Sequence, residues 1–265
     1  MARPILVLLH GANGCGREME PLARALREHG PLAPDLLGHG GRPVPERLRF
    51  EDMVEDLGSW LAARQFGPVH LLGYSFGASV ALGLAARDPA RVLSVTAIAM
   101  VYRWTPEMVG HVVHLADPAR LARPGNPRLQ QMHIAHGEAQ WRRVTQNNRR
   151  LFAGFETRPP LTDEMLRQLT APVLILTGEI DPLVPAEEAR RVARALPNAR
   201  LGLWPGEAHP LEAVPFTEVK YALRRFIAEV GEGSFRPGPP LRLERGLTQS
   251  GLAAGDLNFQ IVPRR

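Results

Sequence analysis

The segment VHLLGYSFGA, residues 69–78, changes character at its middle and predicts a turn between two kinds of secondary structure. Three of residues 69–72 are apolar, as in a buried strand, whereas residues 76–87 have helical spacing. Between them lies the pattern Gly-x-Ser-x-Gly, centred on Ser75. A serine in a tight strand-to-helix turn points its hydroxyl out above the sheet, and the glycines let the strand and helix approach closely. On its own, the motif is also compatible with an ordinary glycine-rich turn.

Outward from this segment, the chain alternates between short β-rich runs and segments with helical spacing. The predicted strands are residues 5–9, 31–36, 69–72, 93–100, 173–177 and 201–204. The predicted helices are residues 18–28, 50–64, 76–87, 186–195 and 214–230. Alternation of this kind predicts an α/β fold, with a mostly parallel sheet and helices on both of its faces.

A long interval between two predicted strands breaks the alternation. It has helical patterns of its own, at residues 106–115, 127–136, 138–152 and 162–169. We therefore expect residues 103–170 to form a helical cap inserted into a core made of residues 1–102 and 171–231. Because the cap would cover the ends of the strands, it would also contribute to substrate specificity.

The last part of the chain, residues 232–265, is predicted to be a Pro/Gly-rich C-terminal tail that begins like a linker. Apolar residues within it alternate with polar ones at strand spacing, namely Leu241, Leu243, Leu257, Phe259 and Ile261. This pattern predicts pairing with an exposed sheet edge, either beside the first strand or on a neighbouring chain. A disordered extension is the alternative.

Composition and charge indicate a soluble globular protein. The 265 residues are 45% apolar and 22% charged, and the net charge is only +5 with histidine neutral. Basic residues are scattered among acidic ones, so a nucleic-acid partner is not expected. The chain has no apolar run long enough to span a membrane. Cys15 is the only cysteine, so no intrachain disulfide can form, and a cytoplasmic location is expected.

Two residues further along the chain supply what a serine nucleophile needs. A serine hydroxyl is weakly nucleophilic at neutral pH and requires a histidine base, which a carboxylate orients. Asp181 lies in GEIDPLVP, residues 178–185, and His209 ends GEAH, residues 206–209, each after a predicted strand. In open α/β sheets, sites are built at the carboxyl ends of the strands. We therefore expect Ser75, Asp181 and His209 to lie together, although each of the last two has an ordinary loop residue as its alternative.

A glycine-rich loop, HGANG at residues 10–14, follows the first predicted strand. Such a loop can aim a backbone N–H at a developing oxyanion, together with the N–H of Phe76, the residue after the serine. The loop therefore predicts an oxyanion hole built from backbone donors.

Taken together, these motifs resemble those of the α/β-hydrolase family. The match covers about residues 5–230 and contains, in family order, HGANG, DLLGHG at residues 35–40, GYSFGA, GEIDPLVP and GEAH. The resemblance implies Ser75 as nucleophile, Asp181 as acid, His209 as base, Ala12 with Phe76 as oxyanion donors, and no cofactor. Many relatives begin with an antiparallel hairpin before the His-Gly strand, so we expect the sheet to be shortened at its N-terminal edge.

The expected reaction is hydrolysis of a small-molecule ester or lactone through an acyl-enzyme intermediate. The same triad also serves C–C bond hydrolases, haloperoxidases and a menaquinone-pathway lyase. The lyase relatives tend to have an arginine soon after the elbow, where this chain has Ala78 and Ser79. A receptor of the same fold that binds a small molecule without turnover is a further alternative. The substrate and the oligomeric state are not indicated by the sequence.

Histidine pairs in the predicted cap have the spacing of a metal site. His111 with His114, and His133 with His136, lie at i, i+3. Cysteines or clustered carboxylates do not accompany them, so packing within the cap or contact with substrate is expected rather than a metal. Tyr102, Trp104, Trp141 and Phe152 are expected to form the cap core or the pocket wall, and Cys15 is expected to be buried.

Overall fold

The structure, a computed structural model, describes residues 4–206, 209–243 and 260–261. Seven strands form one sheet, and their order in the sheet is their order in the chain. They are β1 (Leu6–Leu9), β2 (Val69–Tyr74), β3 (Val92–Ile98), β4 (Val173–Gly178), β5 (Ala199–Trp204), β6 (Leu241–Arg242) and β7 (Gln260–Ile261). Strands β1 to β6 are parallel and β7 is antiparallel to β6, so the predicted mostly parallel sheet is confirmed.

The prediction of a strand over residues 31–36 is wrong. Only Leu32 pairs there, as a single parallel bridge with Val7 on the outer side of β1. Pro31 and Pro34 have no backbone N–H to donate, which prevents a longer ladder. The sheet is therefore short at this edge, as expected from the missing hairpin.

The direction of winding reverses at β1, and this reversal positions the site. After β1 the chain first reaches Leu32 on one side of the strand and then returns to form β2 on the other side. The loops that follow β1 and β2 therefore start on neighbouring strands and lead in different directions. In open α/β sheets, such a reversal opens a crevice at the carboxyl ends of the strands.

Helices cover both faces of the sheet. Along β1, Val7 and Leu9 belong to one apolar cluster, and Leu6 and Leu8 belong to another on the opposite face. The core helices are α1 (Glu20–Ala25), α2 (Phe50–Ala63), α3 (Phe76–Arg87), α9 (Ala186–Ala195) and α10 (Phe216–Gly231). Among the described residues, no helix combines the length and the apolar character that a membrane crossing requires.

Five helices lie between β3 and β4, which confirms an inserted helical cap. They are α4 (Pro106–Leu115), α5 (Pro118–Leu121), α6 (Pro127–His136), α7 (Trp141–Ala153) and α8 (Asp163–Gln168). The four-residue helix α5 was not predicted, because it is too short to show a periodic pattern. The exact division into core, cap and tail stays a prediction.

The first part of the predicted tail packs on the core. Phe235 and Leu243 are buried in the same apolar cluster as α10, and β6 pairs with Gly202 and Leu203 of β5. The pairing predicted for an edge beside the first strand is therefore wrong, because it occurs at the opposite edge of the sheet. Leu257 and Phe259, which belonged to the same pattern, lie outside the described residues.

Candidate active site

Ser75 occupies a strained turn between β2 and α3. Its φ of 50° and ψ of −118° lie in a region that residues other than glycine rarely adopt. Its N–H donates to the carbonyl oxygen of Ile98 at the end of β3, 2.8 Å away. A Cβ on Gly73 would overlap the backbone of Ala78, and one on Gly77 would overlap the carbonyl oxygen of Leu9. These close approaches explain why the motif has glycine at both positions.

The structure brings Ser75, His209 and Asp181 together. His209 Nε2 lies 3.2 Å from Ser75 Oγ, and His209 Nδ1 lies 2.9 and 2.8 Å from the two carboxylate oxygens of Asp181. The three side chains therefore form one continuous hydrogen-bonded chain. The side chain of Asp181 is fully buried and that of His209 is 12% exposed, so solvent competes little for the bond between them.

Asp181 is fixed by the loop that follows β4. Its Oδ1 accepts the N–H groups of Leu183, at 2.8 Å, and Val184, at 3.0 Å. These bonds orient the carboxylate toward His209 and compensate for its burial. Two other acids of this part of the chain have different partners, because Asp163 pairs with Arg191 and Glu179 lies 3.9 Å from Arg242.

The two expected oxyanion donors border the same cleft as Ser75. Phe76 is the first residue of α3, where backbone N–H groups have no acceptor within the helix. Ala12 lies in a turn closed by a 3.1 Å bond from the N–H of Gly14 to the carbonyl oxygen of Gly11. Asn13, which follows Ala12, has a φ of 58°, a conformation that asparagine tolerates better than most residues.

A cavity of about 380 Å³ opens in front of Ser75, which is within the range of small-molecule sites. Apolar residues from the start of the cap and from α7 line part of it, namely Val101, Trp104, Val112, Leu115, Ala116 and Phe152. Charged residues line another part, namely Arg17, Glu18, Arg128 and Glu212. The cavity therefore offers surface for both apolar and polar substrate groups.

Sequence analysis did not single out Tyr74, although it directly precedes Ser75 in the chain. Its ring lies 5.6 Å from the ring of His209, and Tyr74 lines the cavity. Burial, with the charge of Asp181 as the next cause, raises the pKa of the Tyr74 hydroxyl above its usual value, so the phenol stays protonated. The sequence signal that could have identified Tyr74 as a cavity residue is its place inside the Gly-x-Ser-x-Gly motif.

Three buried histidines form a cluster that includes His10, the first residue of the loop at residues 10–14. The rings of His10 and His39 are 5.3 Å apart, and those of His39 and His136 are 6.0 Å apart. Burial lowers the pKa of His10 to about 4 and that of His39 to about 3, and it also lowers the pKa of His136. All three are therefore neutral at pH 7.

The other cap histidines lie apart from this cluster. His133 contacts the ring of Trp141 at 5.7 Å, while His111 and His114 are exposed on α4. Among the residues that the structure describes, no group of three or more histidine, cysteine, aspartate or glutamate side chains is arranged to hold a metal. Cys15, which follows the loop at residues 10–14, is buried as expected.

Comparison with known proteins places these features in context. A model described as the alpha/beta hydrolase family matches residues 6–220. The biotin biosynthesis bifunctional protein BioHC of Cellvibrio japonicus is 29% identical over 232 residues, which are 79% of this chain and 44% of that protein. The 2-succinyl-6-hydroxy-2,4-cyclohexadiene-1-carboxylate synthase of Photorhabdus laumondii is 39% identical over 83 residues, 30% of this chain and 29% of the synthase.

The chain thus spans less than half the length of either curated relative. Among solved structures, an esterase from Thermogutta terrifontis superposes with a TM-score of 0.67 and 22% identity, covering 86% of this chain and 90% of the esterase. Likeness at this level of identity concerns the fold.

Proposed function

This chain belongs to the alpha/beta hydrolase family, and we propose that it is a serine hydrolase that cleaves a small-molecule ester or lactone through an acyl-enzyme intermediate. The observation that carries the proposal is the hydrogen-bonded chain from Ser75 Oγ through the imidazole of His209 to the buried carboxylate of Asp181. A nucleophile, a base and a group that orients the base are the parts that covalent acyl transfer needs.

In the first half of the reaction, Ser75 Oγ attacks the substrate carbonyl carbon while its proton moves to His209 Nε2. Asp181 holds Nδ1–H, which fixes the tautomer and stabilises the imidazolium that forms. The N–H groups of Ala12 and Phe76 donate hydrogen bonds to the carbonyl oxygen as negative charge develops on it. Collapse of the tetrahedral intermediate expels the alcohol, which takes the proton from Nε2.

In the second half, a water molecule attacks the acyl carbon on Ser75 and gives a proton to His209 Nε2. The second tetrahedral intermediate uses the same two N–H donors. Its collapse releases the carboxylic acid and returns the proton from His209 to Ser75 Oγ. Atoms and charges balance with water as the only co-reactant, so this proposal includes no cofactor.

The size and lining of the cavity support a small substrate. A volume of about 380 Å³ accommodates a molecule of metabolite size, with apolar groups against Trp104 and Phe152 and polar groups toward Arg128.

We also propose a cytoplasmic location, since the single cysteine Cys15 has no disulfide partner in the chain. The net charge is modest and the basic residues are scattered among acidic ones, so we propose that the protein has no nucleic-acid partner.

A lyase of the same fold is the second candidate, and the similarity to the synthase over 83 residues favours it. Against it, Ala78 and Ser79 stand where the lyase relatives tend to have an arginine. A C–C bond hydrolase would use the same triad. A receptor that binds a small molecule without turnover is the remaining alternative. The presence of all three triad residues argues against it, because binding alone does not require them.

Pre-steady-state kinetics with p-nitrophenyl esters test the proposal. We expect a burst of p-nitrophenol followed by slower turnover, and added methanol should divert the acyl group to its methyl ester, because both outcomes require a covalent acyl-enzyme. Turnover without any partition to methanol would contradict the acyl-enzyme. Reaction of Ser75 with a fluorophosphonate but no ester turnover would favour the receptor.

A further inference from the structure

We propose that Asn148, on cap helix α7, is a positioning residue that holds the oxyanion loop in its working geometry. This inference rests on the proposed function. It assigns the cap a part in transition-state stabilisation, in addition to its part in lining the cavity.

Asn148 bridges the cap to two loops of the core. Its Nδ2 donates to Asn13 Oδ1 at 2.8 Å and to His39 Nε2 at 2.9 Å, so both amide hydrogens are used. The side chain belongs to a fully buried residue, where water does not replace a lost partner. Loss of the amide would therefore leave the buried His39 Nε2 and the half-buried Asn13 Oδ1 without their donor.

His39 is suited to receive the second hydrogen bond. Its Nδ1 donates to the carbonyl oxygen of Leu37 at 3.0 Å, which leaves Nε2 as an acceptor. Since burial keeps His39 neutral, Nε2 remains an acceptor throughout the ordinary pH range. The hydrogen bond to His39 therefore fixes the amide of Asn148 from the core side, independently of its contact with Asn13.

A second hydrogen bond from the cap holds the backbone of Asn13. His136, at the end of α6, donates from Nε2 to the carbonyl oxygen of Asn13 at 2.9 Å. Its Nδ1 accepts the N–H of Gly40 at 3.1 Å. The cap therefore holds both the side chain and the carbonyl group of Asn13, which follows Ala12 directly in the chain.

The geometry of Asn13 makes these contacts relevant to catalysis. Its φ of 58° is uncommon for residues other than glycine, although asparagine tolerates it better than most, and the bonds from the cap help to maintain it. The peptide N–H groups of the loop are oriented by this turn. A displacement of the donors by about 1 Å lowers rates by about 100-fold without removing any reacting group. An effect on the transition state alone lowers kcat and leaves KM nearly unchanged.

Asn147 is the matched control, since it is the preceding residue on the same helix. It is 3% exposed, and its Nδ2 donates to the carbonyl oxygen of Pro45 at 2.8 Å. This bond also joins the cap to the core, but Pro45 is not in the oxyanion loop. Asn147→Ala therefore reproduces the loss of a buried amide and of a bond between cap and core.

The test compares Asn148→Ala and Asn147→Ala in the full chain with p-nitrophenyl acetate, below the melting temperature of both variants. We expect Asn148→Ala to lower kcat by about 10-fold to 100-fold with KM changed by less than about 3-fold. Asn147→Ala should leave kcat within about 3-fold of the wild type. Equal losses of kcat in the two variants would overturn the proposal, as would a rise in KM with unchanged kcat.

Asn13→Gly removes the same bond from the loop side and keeps the left-handed conformation accessible. It should lower kcat in the same way, and the double variant with Asn148→Ala should be little worse than either single variant. If Asn148→Ala does not fold, unchanged kcat in Asn13→Gly overturns the proposal. Failure of the proposed function is distinct, because the wild type would then form no acyl adduct on Ser75.

Discussion

His209 Nε2 lies 3.2 Å from Ser75 Oγ, although 134 positions of sequence separate the two residues. The contact depends on the parallel sheet, which brings the loops after β2 and β5 to one edge. It also depends on the turn between β2 and α3, where the φ of Ser75 is a strained 50°. The fold thus produces the contact between base and serine that the proposed reaction requires.

Replacing Ser75 or His209 with alanine should each lower kcat by about 10⁴-fold to 10⁶-fold, because each removes an essential part of one unit. The double variant should be little slower than either single variant. Steady-state rates with a p-nitrophenyl ester measure the effect, and melting curves verify that the variants fold. Losses that multiply in the double variant would show that the two residues act independently.

Asp181→Asn should lower kcat by about 10⁴-fold while the fold is kept, because the amide favours the wrong tautomer of His209. Asp163→Asn serves as the control, since Asp163 pairs with Arg191. The control should retain activity within about 3-fold. Near-complete activity of Asp181→Asn would mean that another carboxylate orients the base.

The stability of the protein should fall as the pH falls below 6.5. The pKa values of His10 and His39 are lowered by burial to about 4 and about 3, whereas in the unfolded chain both histidines bind protons near pH 6.5. The unfolded state therefore binds more protons between these values, and stability is fully present only above pH 6.5.

Between pH 6.5 and pH 5, these two groups should together lower the free energy of unfolding by about 3 kcal/mol. Urea unfolding at a series of pH values measures this dependence. His111→Gln is the control, because His111 is exposed on α4 and lies outside the buried histidine cluster. The measurement is made in Glu18→Gln, because burial raises the pKa of Glu18 to about 7 and this carboxyl stabilises the fold as the pH falls. A free energy of unfolding that does not change from pH 7 to pH 5 in that variant would contradict the buried neutral histidines.

Removal of the tail should destabilise the fold without abolishing the nucleophile. A chain ending at Gly231 loses Phe235 and Leu243, whose burial contributes about 1.5–3 kcal/mol each. A chain ending at Leu243 keeps both and should melt at a higher temperature than the shorter chain. Both truncated chains should still react with a fluorophosphonate. Equal melting temperatures would show that these two residues contribute nothing, and lost labelling would show that the tail affects the active site.

Much of the core was predictable because its signals are local. The strand ending at Tyr74 and the helix from Phe76 to Arg87 differ in period, and the glycines between them have steric reasons. Asp181 and His209 were found because each follows a predicted strand, and parallel strands bring such loops together. The wrong prediction of a strand at residues 31–36 shows that apolar character alone does not identify a strand. Pro31 and Pro34 lack the N–H donors that a ladder needs.

The network behind the oxyanion loop was not predictable. Asn148 lies in a helix whose sequence shows that it is amphipathic, but not which residue of the core each polar side chain contacts. Its partners Asn13 and His39 are separated from it by more than 100 positions and belong to two different loops. The edge at which the tail pairs was missed for a similar reason, because strand spacing does not specify the neighbouring strand.

The central claim is that Ser75 is the nucleophile, and labelling with a fluorophosphonate followed by peptide mass spectrometry tests it most directly. The account predicts one adduct per chain, located on Ser75, with ester turnover falling in proportion to labelling. His209→Ala should label far more slowly, because the base is lost. An adduct on a different residue, or full turnover after Ser75 is completely labelled, would contradict the account.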